Sequence, residues 1–124
     1  MTGLSAGGRA AARRRLAAER ASAEARLAAL RRDFDSIVDA SAAGADDEHD
    51  PEGSSTAFDR QHVAALLGQA EDQLAAIDRA GQRLADGSYG RCERCGRPIP
   101  AERLAVRPAA ATCVACASAD GPRS

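Results

Sequence analysis

YGRCERCGRPIPAERLAVRPAAATCVAC, residues 89–116, holds every cysteine of the chain: Cys92-x-x-Cys95, seventeen intervening residues, then Cys113-x-x-Cys116. Two Cys-x-x-Cys pairs at this separation are a strong signature of a four-thiolate zinc site. Zn²⁺ takes four soft ligands tetrahedrally. A two-residue gap lets one short turn aim two thiolates at one point, and the longer gap lets the chain return with the second pair. Gly96, directly after Cys95, suits a tight turn around a metal, because glycine takes positive φ at little cost. Four cysteines leave no open coordination position, so one zinc ion with a structural role is expected. The competing reading is a disulfide framework, disfavoured by the metal-type spacing and the lack of a secretory signal. A redox-active Cys-x-x-Cys needs a βαβ context, which this pattern lacks.

Working outward, the 124 residues bound the chain to a single domain with a tail. Aromatic residues make up 2% and Trp is absent, so no large globular core can be assembled. Alanine accounts for 31 positions and all 17 basic residues are arginine, a composition that favours long helices with closely approaching backbones. The net charge of −1 conceals segregation: residues 9–35 carry eight Arg against four acids, whereas residues 39–52 carry six acids and no base. From Arg91 onward the chain is basic again, with six Arg against three acids. This polarity favours oriented docking on a partner over coating of nucleic acid. No apolar run reaches membrane-spanning length and no signal-peptide core opens the chain, so no membrane association and a cytoplasmic location are expected.

The fold class this predicts is mainly α: a long antiparallel two-helix coiled coil followed by a small C-terminal four-cysteine zinc-finger module. Residues 1–8 are small and are expected to be disordered. Residues 9–43 lack Pro and Gly. Leu16, Ala23, Leu27, Leu30, Phe34 and Ile37 recur at steps of seven, four and three, the narrow seam of a coiled coil. Arg20 interrupts that seam. Residues 44–55 form an acidic tip broken by Gly44, Pro51 and Gly53, with Ser54, Ser55 or Thr56 available to cap a second helix. That helix is expected over 57–86, with Val63, Leu67, Ala70, Leu74, Ile77 and Leu84 in its seam and Gly81 between the last two. The coiled coil thus covers 9–86; roughly 30 residues per helix make a rod on the order of 45 Å long. Asp86-Gly87-Ser88 stops the second helix. The zinc finger follows over 87–119, with a turn or short strand at 101–106, a helical turn after Cys116, and a frayed end at 120–124.

Two clusters of charge invite a functional reading. Asp46, Asp47, Glu48, Asp50 and Glu52 crowd the tip. The bland account is a solvated turn, and the alternating ligand pattern of a Ca²⁺ loop is missing. His49 and His62 read as surface residues. At the other pole Arg91, Arg94, Arg97, Arg103 and Arg107 could meet phosphates. With no finger helix of the Cys₂His₂ kind, no stacking platform and little excess charge, direct DNA binding is disfavoured and protein docking is preferred. No nucleophile–base pair or open metal site is visible, so no enzymatic activity is expected.

The helix–acidic tip–helix pattern followed by the quoted stretch resembles the TraR/DksA family of C4-type zinc-finger transcription factors. The resemblance is strongest over 84–116, through Asp86-Gly87-Ser88-Tyr89-Gly90-Arg91-Cys92, Cys95-Gly96, Ile99, Arg103-Leu104, Arg107-Pro108 and Cys113-x-x-Cys116. It implies a regulator that binds RNA polymerase, inserts its coiled coil into the secondary channel, and uses acidic tip residues near the active centre to alter initiation. The tip candidates are Asp46, Asp47, Asp50 and Glu52. The family's tip pattern is Asp-x-x-Asp-x-Ala; Asp47 and Asp50 supply both acids, while Glu52 stands at the alanine. A second register through Asp50-Pro51 puts Gly53 at the second acid. Some members use guanosine tetraphosphate, held by a basic residue on the second helix, an Arg before Pro and a Lys after the last Cys. Here Arg107 before Pro108 matches, but Ala76 and Ala117 occupy the other two places and the chain has no Lys. Alarmone dependence is therefore not expected, and Arg103 and Arg107 remain candidate partner contacts. A monomer is expected. The alternative is a stress-related zinc-finger protein that binds another protein, or nucleic acid, through its basic pole.

Overall fold

A computed structural model describes residues 4–43 and 52–119, with the backbone alone for 41–43 and 52–55. Four helices follow in chain order: α1 (Ala6–Ala43), α2 (Glu52–Asp86), α3 (Ala101–Val106) and α4 (Val114–Ala119). No strand occurs among the described residues beyond an isolated bridge between Arg91 and Pro98.

The chain divides into two compact units. One combines residues up to 21 with those from 75 onward; the other is 22–74. In the second unit Arg31 of α1 lies 3.7 Å from Glu71 of α2, while Asp33, Ser36 and Ile37 face Asp59, His62 and Val63. Numbers rise along one helix as they fall along the other, so the pair is antiparallel. Ala23, Leu27 and Ala70 are its buried residues. In the first unit the helices meet through Ala12, Leu16, Ile77, Ala80 and Leu84, all buried. Steps of three, four and seven recur on both helices, as a coiled-coil seam requires. Arg20, at the interruption, reaches Asp78 of the opposite helix and forms a salt bridge. Both partners are partly exposed, so the pair guides register more than it stabilises.

Five local expectations are corrected. First, α1 begins at Ala6, inside the segment expected to be disordered. Ser5 caps it: the Gly8 N–H donates to Ser5 Oγ at 3.0 Å and the Arg9 N–H to the Ser5 carbonyl at 2.8 Å. Second, α2 begins at Glu52, so Ser54, Ser55 and Thr56 lie within the helix, and Gly53 does not break it. Third, the seam position between Ile77 and Leu84 is Ala80, at 4% exposure, whereas Gly81 faces outward with open space around it. Fourth, residues 101–106, expected as a turn or short strand, form a helical turn and a half. Fifth, α4 starts at Val114, before Cys116. Asp46, Asp47, His49 and Asp50 of the tip, and residues 120–124, lie outside the described residues. No described helix is long and apolar enough to cross a membrane.

Candidate metal centre

The module starts where α2 ends. Gly87 adopts φ 87°, and the Ser88 N–H donates to the Arg83 carbonyl at 2.9 Å, the six-to-one bond of a Schellman cap. The Ser88 hydroxyl and N–H both donate to Asp86 Oδ1, at 2.6 and 3.0 Å. These bonds, the hydroxyl's foremost, hold the Asp86 carboxyl below its usual range. The chain then makes its first knuckle. The Gly96 N–H donates to the Cys92 carbonyl at 2.9 Å and the Cys92 N–H to the Arg97 carbonyl at 2.8 Å. Gly96 has φ 76°, the left-handed conformation expected from its position after Cys95.

The second cysteine pair is brought back by α3 and the segment after it. Leu104 is the one buried residue of α3, and Arg103 Nε donates to the Thr112 carbonyl at 2.9 Å. The Glu93 N–H donates to the Ala111 carbonyl at 2.8 Å, tying the strip before Cys113 to the first knuckle. The Ala117 N–H donates to the Cys113 carbonyl at 2.9 Å, which places Cys116 in the first turn of α4. Tyr89 fastens the start of the module to the segment after α3. Its ring is buried, and its hydroxyl donates to the Pro108 carbonyl at 2.7 Å. Burial raises its pKa.

The result is a cluster of the four sulfurs, all within 4.8 Å of one another. Cys95 Sγ and Cys113 Sγ are 3.8 Å apart and none of the four is in a disulfide. A tetrahedron with Zn–S bonds of about 2.3 Å has an edge of roughly 3.8 Å, so the residues fit a zinc ion. The thiols' acidity agrees. Burial pushes Cys92 up, but N–H donors of Cys95, Cys113 and Arg94, with the Cys116 thiol, override it and bring it down to about 6. The Cys116 N–H foremost lowers Cys113. Cys116 is pushed up to about 12, because its proton is shared first with Cys113 and then with Cys92. Peptide donors aimed at sulfur favour thiolate, and crowded thiolates need a cation; a zinc ion held by Cys92, Cys95, Cys113 and Cys116 would supply that charge and cross-link the two knuckles.

Of the other residues singled out from sequence, Arg103 is half-buried and committed to Thr112. Arg107 is exposed at the end of α3, its N–H on the Arg103 carbonyl at 2.7 Å. Ala76 lines a cleft with Arg79 and the backbone strip 109–111, on the same face as Arg83. Glu52 is the first residue of α2. Sequence reasoning missed Arg83. Its guanidinium donates to the Ser88 carbonyl at 3.1 Å, to the Arg91 carbonyl, and to Glu93 Oε1 at 3.3 Å, gathering the helix end and first knuckle around one side chain. Its signal was a basic residue in the last helical turn, where carbonyls lack partners.

A helical pair followed by a four-cysteine knuckle defines a C4-type zinc-finger protein. The sequence model described as the prokaryotic dksA/traR C4-type zinc finger matches residues 87–120. An RNA polymerase-binding transcription factor DksA from Caulobacter vibrioides is 51% identical over 37 residues, 30% of this chain and 26% of that protein. An uncharacterized protein of Aquifex aeolicus is 46% identical over 44 residues, 36% of this chain and 30% of that one. The matched segments thus span less than a third of these curated relatives' length. The structure of transcription factor DksA2 from Pseudomonas aeruginosa superposes with a TM-score of 0.75 at 26% identity, covering 93% of this chain and 84% of that one. Residues 87–120 thus match the dksA/traR C4-type zinc finger, and the fold over 93% of the chain is like that of DksA2.

Proposed function

We propose that this protein is a zinc-stabilised regulator of transcription that binds RNA polymerase through the secondary channel, with its tip acids modulating initiation. The observation that carries the reading is the structural likeness to DksA2 over 93% of the chain, helical pair as well as finger. A zinc finger alone would serve many partners. A finger joined in one chain to two long helices, as in DksA2, narrows the choice. One zinc ion per chain, on Cys92, Cys95, Cys113 and Cys116, completes the module. Asp47 and Asp50 act at the polymerase active centre, with Asp46 and Glu52 beside them. Arg107 is the exposed partner contact; Arg103 supports the module from within. The protein acts as a monomer, without guanosine tetraphosphate, because Ala76 and Ala117 offer no cation to its phosphates.

The test is binding of the zinc-loaded protein to core RNA polymerase with a channel-occupying transcript-cleavage factor as competitor. Mutual exclusion is expected; simultaneous binding, or none, rejects the channel. Asp47→Ala/Asp50→Ala is expected to keep affinity within about twofold while removing the effect on initiation. Loss of binding in that variant would make the tip an anchor instead.

A further inference from the structure

Phe58 is out of keeping with the buried aromatic of the finger. Only three aromatic side chains exist, and Tyr89 is buried while Phe58, within the first two turns of α2, is 71% exposed. An exposed apolar side chain standing alone means nothing, but this one does not stand alone. One helical turn on, on the same face, His62 lines an open cleft of about 320 Å³ with Val63, and with Asp33, Ser36 and Ile37 of α1. Ile37 and Val63 occupy seam positions yet remain only half-buried, so the two helices do not close their own seam here. The formally charged residues lining the cleft are Asp33 and Asp59, both acidic.

We propose that Phe58 and this cleft form a protein-docking surface that takes an apolar side chain flanked by Arg or Lys. The apolar group enters over Ile37 and Val63 and packs against the Phe58 ring; the cations meet Asp33 and Asp59. Carboxylates at this rim repel phosphate, which excludes a nucleic-acid backbone, and the cleft is too open to enclose a small molecule. Exposed aromatics beside pockets are what interface hot spots are made of. The inference rests on the proposed function in naming RNA polymerase as the protein that supplies the basic–apolar segment.

The experiment compares core polymerase affinity of the full zinc-loaded chain with that of Phe58→Ala and Asp33→Asn/Asp59→Asn, checking helicity and zinc content of each. Phe58→Ala is expected to weaken binding at least tenfold, with Phe58→Leu intermediate. The double amide variant is expected to weaken binding several-fold at low salt and to flatten its salt dependence. If the parent protein binds and Phe58→Ala binds within twofold of it, this surface is idle and the proposed function stands. If the parent fails to bind, both fall. If the parent self-associates, and Phe58→Ala abolishes that alone, a second copy is the occupant and the proposal is overturned.

Discussion

The same two helices build both compact units, yet the units are held in different ways. Of thirteen buried apolar residues among the described positions, Pro108 included, ten lie in the unit that contains the finger and three, Ala23, Leu27 and Ala70, in residues 22–74. The finger's unit adds a Schellman cap, the Arg83 contacts, the Tyr89–Pro108 bond and the sulfur cluster. The other relies on helix propensity and a thin alanine-rich seam. Marginal packing gives low local opening free energies, so the tip-bearing unit is expected to exchange its amide hydrogens faster.

The hardest blow to this contrast is removal of the metal. Structural zinc contributes apparent free energies on the order of 10 kcal/mol in isolated fingers. Chelation, or Cys113→Ser, should therefore collapse the amide dispersion of residues 87–119 while most far-UV helicity, which comes from α1 and α2, survives. A finger that kept its spectrum with strong chelator present would refute the structural role of zinc. Next is Leu27→Ala, expected to destabilise the 22–74 unit by about 2 kcal/mol with zinc affinity unchanged within twofold. A matching loss of zinc would show that the units unfold as one. Tyr89→Phe should cost about 1–2 kcal/mol by leaving the Pro108 carbonyl without its donor; it should raise zinc off-rates without speeding exchange in 22–74. The smallest effect concerns pH. Asp86 has a depressed pKa in the folded chain, so its contribution is present above the ordinary carboxyl value, near 3.9, and fades as pH falls through the folded value. Ser88→Ala removes the 2.6 Å hydroxyl bond and should move the Asp86 titration upward in a carboxyl NMR experiment. An unmoved curve would assign the depression to the backbone N–H alone.

The sequence made the metal centre legible because ligand identity and spacing are local facts: Cys92, Cys95, Cys113 and Cys116 meet as their spacing predicts. The long helices were equally open to reading through Leu16, Leu27, Ile77 and Leu84. The failures have separate physical causes. Ser5 caps a helix whose second and third residues are Gly7 and Gly8, and glycine's poor propensity hid the start. Ala80 and Gly81 both satisfy a seven-residue repeat between Ile77 and Leu84, so periodicity alone could not choose. In α3 a six-residue helix buries only Leu104, too little for any period to register, and the surrounding prolines argued for irregular chain. Arg83 acts through backbone carbonyls brought together by the cap and the knuckle, a convergence that no linear motif encodes.

Tyr89 has one more consequence. It is the sole tyrosine of a chain without tryptophan, and it sits inside the finger with its phenol on the Pro108 carbonyl. Intrinsic ultraviolet emission therefore comes almost wholly from this one ring, whatever the long helices are doing. The molecule carries a built-in optical gauge of its metal module, readable without a label.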